Sequence, residues 1–143
     1  MRKKNKGFAV MIIILGSLII GCNKYGCKNP KLVSSISSMN HEYCTIIIYK
    51  RSVQNKIELA RLLVEMCKEN DFENIKFATD VRGYPSGLSL SVYLTEKDFQ
   101  NGKQYMNIRY EMIEYIKSSN IRDNPENYQL YIDNELIQIY EQS

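Results

Sequence analysis

The stretch Leu88-Ser89-Leu90-Ser91-Val92-Tyr93-Leu94 constrains the fold more than any other part of the chain. Its aliphatic residues alternate with serines and a tyrosine, so an extended segment here is apolar on one face and polar on the other. A sheet with one covered face and one open face satisfies that pattern. A second alternation precedes it, with Ile75, Phe77, Thr79 and Val81 set against Lys76, Ala78, Asp80 and Arg82. The link Gly83-Tyr84-Pro85-Ser86-Gly87 is short and rich in turn formers, which predicts an antiparallel hairpin over residues 75–94.

The other periods supply partners for this hairpin. Tyr43-Cys44-Thr45-Ile46-Ile47-Ile48-Tyr49 is a β-branched run, as expected of a strand buried on much of both faces. Ser52 is placed to cap a helix over about residues 53–70, with Ile57, Ala60, Leu63 or Val64, and Cys67 on one stripe. Thr95 and Asp98 mark the start of a second helix, predicted to run to about Ser118 with Tyr105, Ile108, Met112 and Ile116 inward and Gly102 in its path. Beyond Pro125, Tyr128, Leu130 and Ile132 read as a strand, Asp133-Asn134 as a tight turn, and Leu136 to Tyr140 as a returning edge strand. The order β-α-β-β-α-β(-β) resembles the ferredoxin-like pattern. That pattern is an α+β two-layer sandwich with two helices on one face of an antiparallel sheet. The length allows one such domain, over residues 43–143.

Ahead of it the composition changes. Arg2, Lys3, Lys4 and Lys6 precede an apolar run from Phe8 to Ile20. As a helix that run spans roughly 20 Å, short of a hydrocarbon core about 30 Å thick, and it reads as an export signal. Its end, Ile19-Ile20-Gly21-Cys22, resembles the lipobox of bacterial lipoproteins, with Ile where Leu is more usual. The resemblance implies a diacylglyceryl group on the Cys22 sulfur, removal of residues 1–21 as signal peptide, and a mature chain held on the outer face of the cell membrane. Residues 22–42, polar and serine-rich, then read as a lipid-anchored flexible spacer with a root-mean-square reach of about 25 Å.

Charge excludes one class of partner. The chain carries 19 Lys and Arg against 16 Asp and Glu, but four of the cations lie before Cys22, and the remainder is near −1. A nucleic-acid surface needs a basic patch that survives in the folded part. The implied partners are the membrane, through the anchor, and an envelope protein or glycan.

Candidate chemistry is sparse. Cys44 and Cys67 fall at the same end of the predicted strand–helix pair, where they form either a disulfide or two buried free thiols. No metal or cofactor is implied: there is no C-x-x-C pair, and the single histidine, His41, falls on the predicted spacer as a solvated residue. That position also argues against a nucleophile paired with histidine, and no phosphate-loop, dinucleotide or nucleophile-elbow motif occurs. Lys50-Arg51-Ser52, between the first strand and first helix, is a candidate anion-binding loop, through which the chain would act as a small anion- or phosphate-handling hydrolase. The main expectation is a non-enzymatic binding or accessory module. Its open sheet face would show Thr45, Ile47, Tyr49, Asp80, Arg82, Ser91, Tyr93 and Tyr131, with Tyr49, Arg82 and Tyr93 as the candidate partner face.

Overall fold

The computed structural model describes residues 28–77 and 83–138. Cys22, Cys27, Asp80 and Arg82 lie outside these, as does the signal segment. The protein is α+β. Its elements are β1 (Lys31–Ser38), β2 (His41–Ile47), α1 (Lys56–Lys68), β3 (Gly87–Tyr93), α2 (Glu96–Gln100), β4 (Met106–Met112), a 3-10 turn (Pro125–Asn127), β5 (Tyr128–Ile132) and β6 (Glu135–Ile137). The six strands make one mixed sheet in chain order, β1-β2-β3-β4-β5-β6. β2 and β3 run parallel, joined through α1, and every other neighbouring pair is antiparallel.

Strand alternation decides which face is covered. Cys44 and Ile46 of β2, Leu88, Leu90 and Val92 of β3, Met106, Ile108 and Tyr110 of β4, and Tyr128, Leu130 and Ile132 of β5 are all buried. Cross-strand register puts them on one side: Cys44 pairs with Leu90, Leu90 with Ile108, and Ile108 with Ile132. α1 closes that side with Leu59, Ala60, Leu63, Val64 and Cys67, a stripe at helical spacing. Each large aliphatic side chain buried there contributes on the order of 2 kcal/mol of transfer free energy.

Helix ends set the length of α1. The Asn55 side chain accepts from Ile57 N and Glu58 N, so the helix starts three residues after the predicted cap, Ser52. At the other end Asn70 takes a positive φ of 52°, with Asp71 N bonded to Met66 O and Asn70 N to Cys67 O. This is a Schellman ending with asparagine in the glycine position. The Asn70 side chain then accepts from Phe77 N and donates to Phe77 O, folding residues 71–77 back over the helix end and burying Phe72 and Phe77.

Four expectations are corrected. Residues 31–42 belong to the sheet and are not a spacer: β1 pairs along β2, and Leu32 is fully buried opposite Ile46. As an edge strand, β1 is polar over most of its length and bulges between Leu32 and Ser34, so no alternation advertises it. The 75–94 hairpin does not form, because both edges of β3 are occupied, by β2 and by β4. The second helix is five residues long and ends at Gly102, whose φ is 68°; residues beyond it form β4. Finally, the ferredoxin-like order gives way to sequential strands, and the two helices do not share a face. α2 touches β3 through Phe99, packed edge-on against Tyr93, whose side chain is on the side opposite α1.

Other readings are matched by the structure. Thr95 Oγ1 accepts from Asp98 N at 3.1 Å at the start of α2. Asp133 and Asn134, at φ 50° and 68°, make the β5–β6 turn, and Met39 and Asn40 do the same between β1 and β2.

Candidate binding face

The side of the sheet away from α1 carries the polar half of the alternation in β3, β4 and β5. Register aligns one residue from each strand in a transverse row: Ile36, Tyr43, Ser89, Arg109, Tyr131 and Leu136. Ile36, Tyr43 and Leu136 are exposed, while Ser89, Arg109 and Tyr131 are half-buried among their neighbours.

The centre of this row is a connected set of side chains. The Arg109 guanidinium lies 4.7 Å from the Tyr131 ring centroid and donates from Nη1 to both Glu111 carboxylate oxygens, at 3.1 and 3.3 Å. Gln129 Nε2 donates to the Tyr131 hydroxyl at 2.7 Å. The Tyr131 ring and the Glu111 carboxylate hold the guanidinium in place, and its Nε is buried without a hydrogen-bond partner.

His41 stands beside this set as the first residue of β2. Its Nε2 is 2.9 Å from Ser89 Oγ, and its ring rests against Tyr43 at 4.7 Å between centroids. The ring occupies the space over Gly87, where a Cβ would lie 2.6 Å from Nδ1; glycine is required there by this close approach. Burial lowers the His41 pKa from its ordinary 6.5, partly opposed by Glu111 and Glu42. The ring is therefore mostly neutral at pH 7. The expectation of a solvated histidine on a spacer outside the domain is corrected. The long polar reach of β1 and β2 disguised a hairpin as a tether.

A hydroxyl hydrogen-bonded to a neutral imidazole is the geometry of a nucleophile and its base. Acyl transfer also needs donors for an oxyanion, and the backbone groups of β3 are committed to ladders on both sides. Two tyrosine rings, a guanidinium and an imidazole on a sheet surface can also stack on a sugar ring or pack against a protein.

Of the residues expected to form the partner face, Arg82 lies outside the described residues, while Tyr49 and Tyr93 both contact α2, through Glu96 and Phe99. Tyr93 is on the open side against Phe99. Tyr49 lies past the end of β2 at φ 55°; its hydroxyl donates to Glu96 Oε1 at 3.0 Å, and Lys28 sits 5.1 Å from its ring. Thr45 and Ser91 are on the expected side, while Ile47 is buried. Lys50, Arg51 and Ser52 are largely exposed and do not sit at the helix terminus, whose first free N–H groups Asn55 takes up. The anion-binding loop is thus not assembled. His41, Tyr43, Arg109 and Glu111 were missed. The period-2 signal Asn107-Arg109-Glu111 was present, but it overlapped the helical spacing of Tyr105, Ile108 and Met112.

On the covered side, Glu42 is only 8% exposed and accepts from Ser35 Oγ. Both line a cavity of about 220 Å³ together with Ser37, Asn40 and Lys76. Cys44 and Cys67 are free thiols buried behind it. Among the described residues, no group of three or more His, Cys, Asp or Glu could hold a metal ion, and no helix is long and apolar enough to cross a membrane. Comparison with protein-family models, curated proteins and solved structures found no match to this chain.

Proposed function

We propose that this chain is a lipoprotein anchored through Cys22 to the outer face of the cell membrane, and that it acts there as a non-enzymatic binding or accessory module. The anchor is supported by Ile19-Ile20-Gly21-Cys22 after a basic start and a short apolar run. Two acyl chains on one sulfur hold a small domain at a bilayer far more firmly than one chain does.

The observation that carries the binding role is the row Ile36–Tyr43–Ser89–Arg109–Tyr131–Leu136, which crosses all six strands. Exposed Ile36, Tyr43 and Leu136 flank a charged and aromatic centre, an arrangement that fits an envelope protein or glycan. A photoreactive phenylalanine analogue tests it when placed at position 43 and, as control, at position 62 on the outer side of α1. Tyr43 and Leu62 are matched in exposure, 49% and 51%, so any difference reports the face and not accessibility. Irradiation of intact cells should yield a discrete adduct from position 43 and none from position 62. Equal adducts from both, or none from either, would reject the binding face.

A further inference from the structure

The first strands bring a set of cations to one end of the sheet. Lys31, where β1 begins, lies opposite Ile47 at the end of β2, and Ile47 lies opposite Tyr93 at the end of β3. Lys28 reaches the same end, its Nζ 5.1 Å from the Tyr49 ring centroid. Lys28, Lys31, Tyr49 and Glu73 line a groove of about 410 Å³ there, and Lys50 and Arg51 follow Tyr49. All four cations are exposed, and none pairs with a carboxylate among the described residues. The patch holds two carboxylates, each accepting a hydrogen bond: Glu73 from Asn29 and Glu96 from Tyr49, both at 3.0 Å. Toward β5 at the same end, Asp133 is taken by Lys56, so the positive surface lies on the β1–β2 side.

We propose that this end of the sheet is a membrane-facing surface that binds anionic phospholipid headgroups through Lys28, Lys31, Lys50 and Arg51. The proposal rests on the anchor at Cys22 and adds which way the domain faces and which lipid it meets.

Reach supports the facing. Because β1 begins at Lys31, only six peptide units separate Cys22 from Lys28. Fully extended, they span about 20 Å. β1 alone, at eight residues, is about 27 Å long. Standing on its other end, at the Met39–Asn40 turn, the domain would lift Lys28 farther from the bilayer than the link can follow. Charge then draws the near end down, since an anionic surface attracts each Lys or Arg held within about one Debye length, roughly 10 Å. Tyr49, half-buried in the groove wall, is a residue type that sits at headgroup level. Lys50 and Arg51 form no closed anion pocket, and a charged plane needs none. In this pose Tyr43, four residues before the end of β2, stands about 13 Å above that end, open to an envelope partner.

The test uses the full chain as isolated from cells, mixed with vesicles of phosphatidylcholine alone or with roughly 30% phosphatidylglycerol. A photoreactive phenylalanine analogue replaces Ser52 beside the patch or Tyr115 on the loop after β4, at the other end; both positions are exposed. Irradiation should attach phospholipid at position 52 by roughly fivefold or more in the anionic vesicles over the neutral ones, with position 115 at background. The gain should vanish in about 0.5 M salt and in a K31Q/K50Q/R51Q variant. Equal yields in the two lipids, a gain that survives salt, or equal labelling at position 115 would overturn the facing. If the variant does not fold, the salt response of the unaltered patch decides alone. Flotation separates the two proposals. Protein that floats on both vesicles without the anionic gain loses the facing and keeps the anchor. Protein that floats on neither overturns the anchor and the facing with it.

Discussion

His41 shows how one residue joins the hairpin to the open face. Its ring takes the space above Gly87 and hydrogen-bonds Ser89, so two residues of β3 depend on the first residue of β2. Gly87→Ala should cost about 1–2 kcal/mol, because the new methyl group displaces the ring. In a His41→Ala background the same substitution should turn favourable by about 0.5 kcal/mol, since alanine loses less backbone entropy than glycine. Chemical denaturation of the four proteins checks this, and equal costs in both backgrounds would contradict the contact. The same ring sets a pH dependence. Burial holds the folded His41 pKa below its unfolded value, so the unfolded chain takes up the proton first. Stability present above the ordinary imidazole pKa is then lost as pH falls through it toward the lower folded value. Glu111 and Glu42 reduce the loss without reversing it. Urea midpoints from about pH 7.5 to about pH 5 should fall more steeply for wild type than for His41→Gln. Parallel slopes would show that the imidazole is not desolvated.

Among the elements, those with a single unambiguous period were legible. β3 alternates cleanly, β5 is closed off by Pro125 and the Asp133-Asn134 turn, and α2 begins where Thr95 can cap it. β1 was not legible. Its serines on both faces satisfy an edge strand, and its burial rests chiefly on Leu32. β4 was misread because the segment fits two periods at once. Tyr105, Ile108, Met112 and Ile116 form a helical stripe, but Ile116 is 41% exposed in the structure, and Met106, Ile108 and Tyr110 form the strand face that is buried. Gly102 decided between them by ending α2. The start of α1 offers a direct check on capping. Asn55→Ala should cost about 1 kcal/mol, and Ser52→Ala should stay within about 0.5 kcal/mol of wild type. Thermal or urea midpoints distinguish this from the reverse ranking that the sequence alone would suggest.

As a whole molecule, the protein divides its chemistry between two sides of one sheet. The side under α1 is an apolar core containing a thiol pair and a buried Glu42–Ser35 contact, and the other side is an open row of aromatic, charged and aliphatic residues. The residues of that row could be listed from alternation once the strands were known. Their convergence could not, because the parallel pairing of β2 with β3 has no local signature in the chain. Net charge near −1 beyond residue 21 gives no overall attraction to a polyanion. The account turns on where this sheet is held. The direct measurement is the mass of the N-terminal peptide from membrane-fraction protein, beside a Cys22→Ala variant. The expected species begins at residue 22, carries two ester-linked acyl chains on a thioether, and leaves the membrane fraction or stays uncleaved once Cys22 is replaced. Protein recovered from the soluble cell interior with Met1 attached and the Cys22 thiol free would contradict the account.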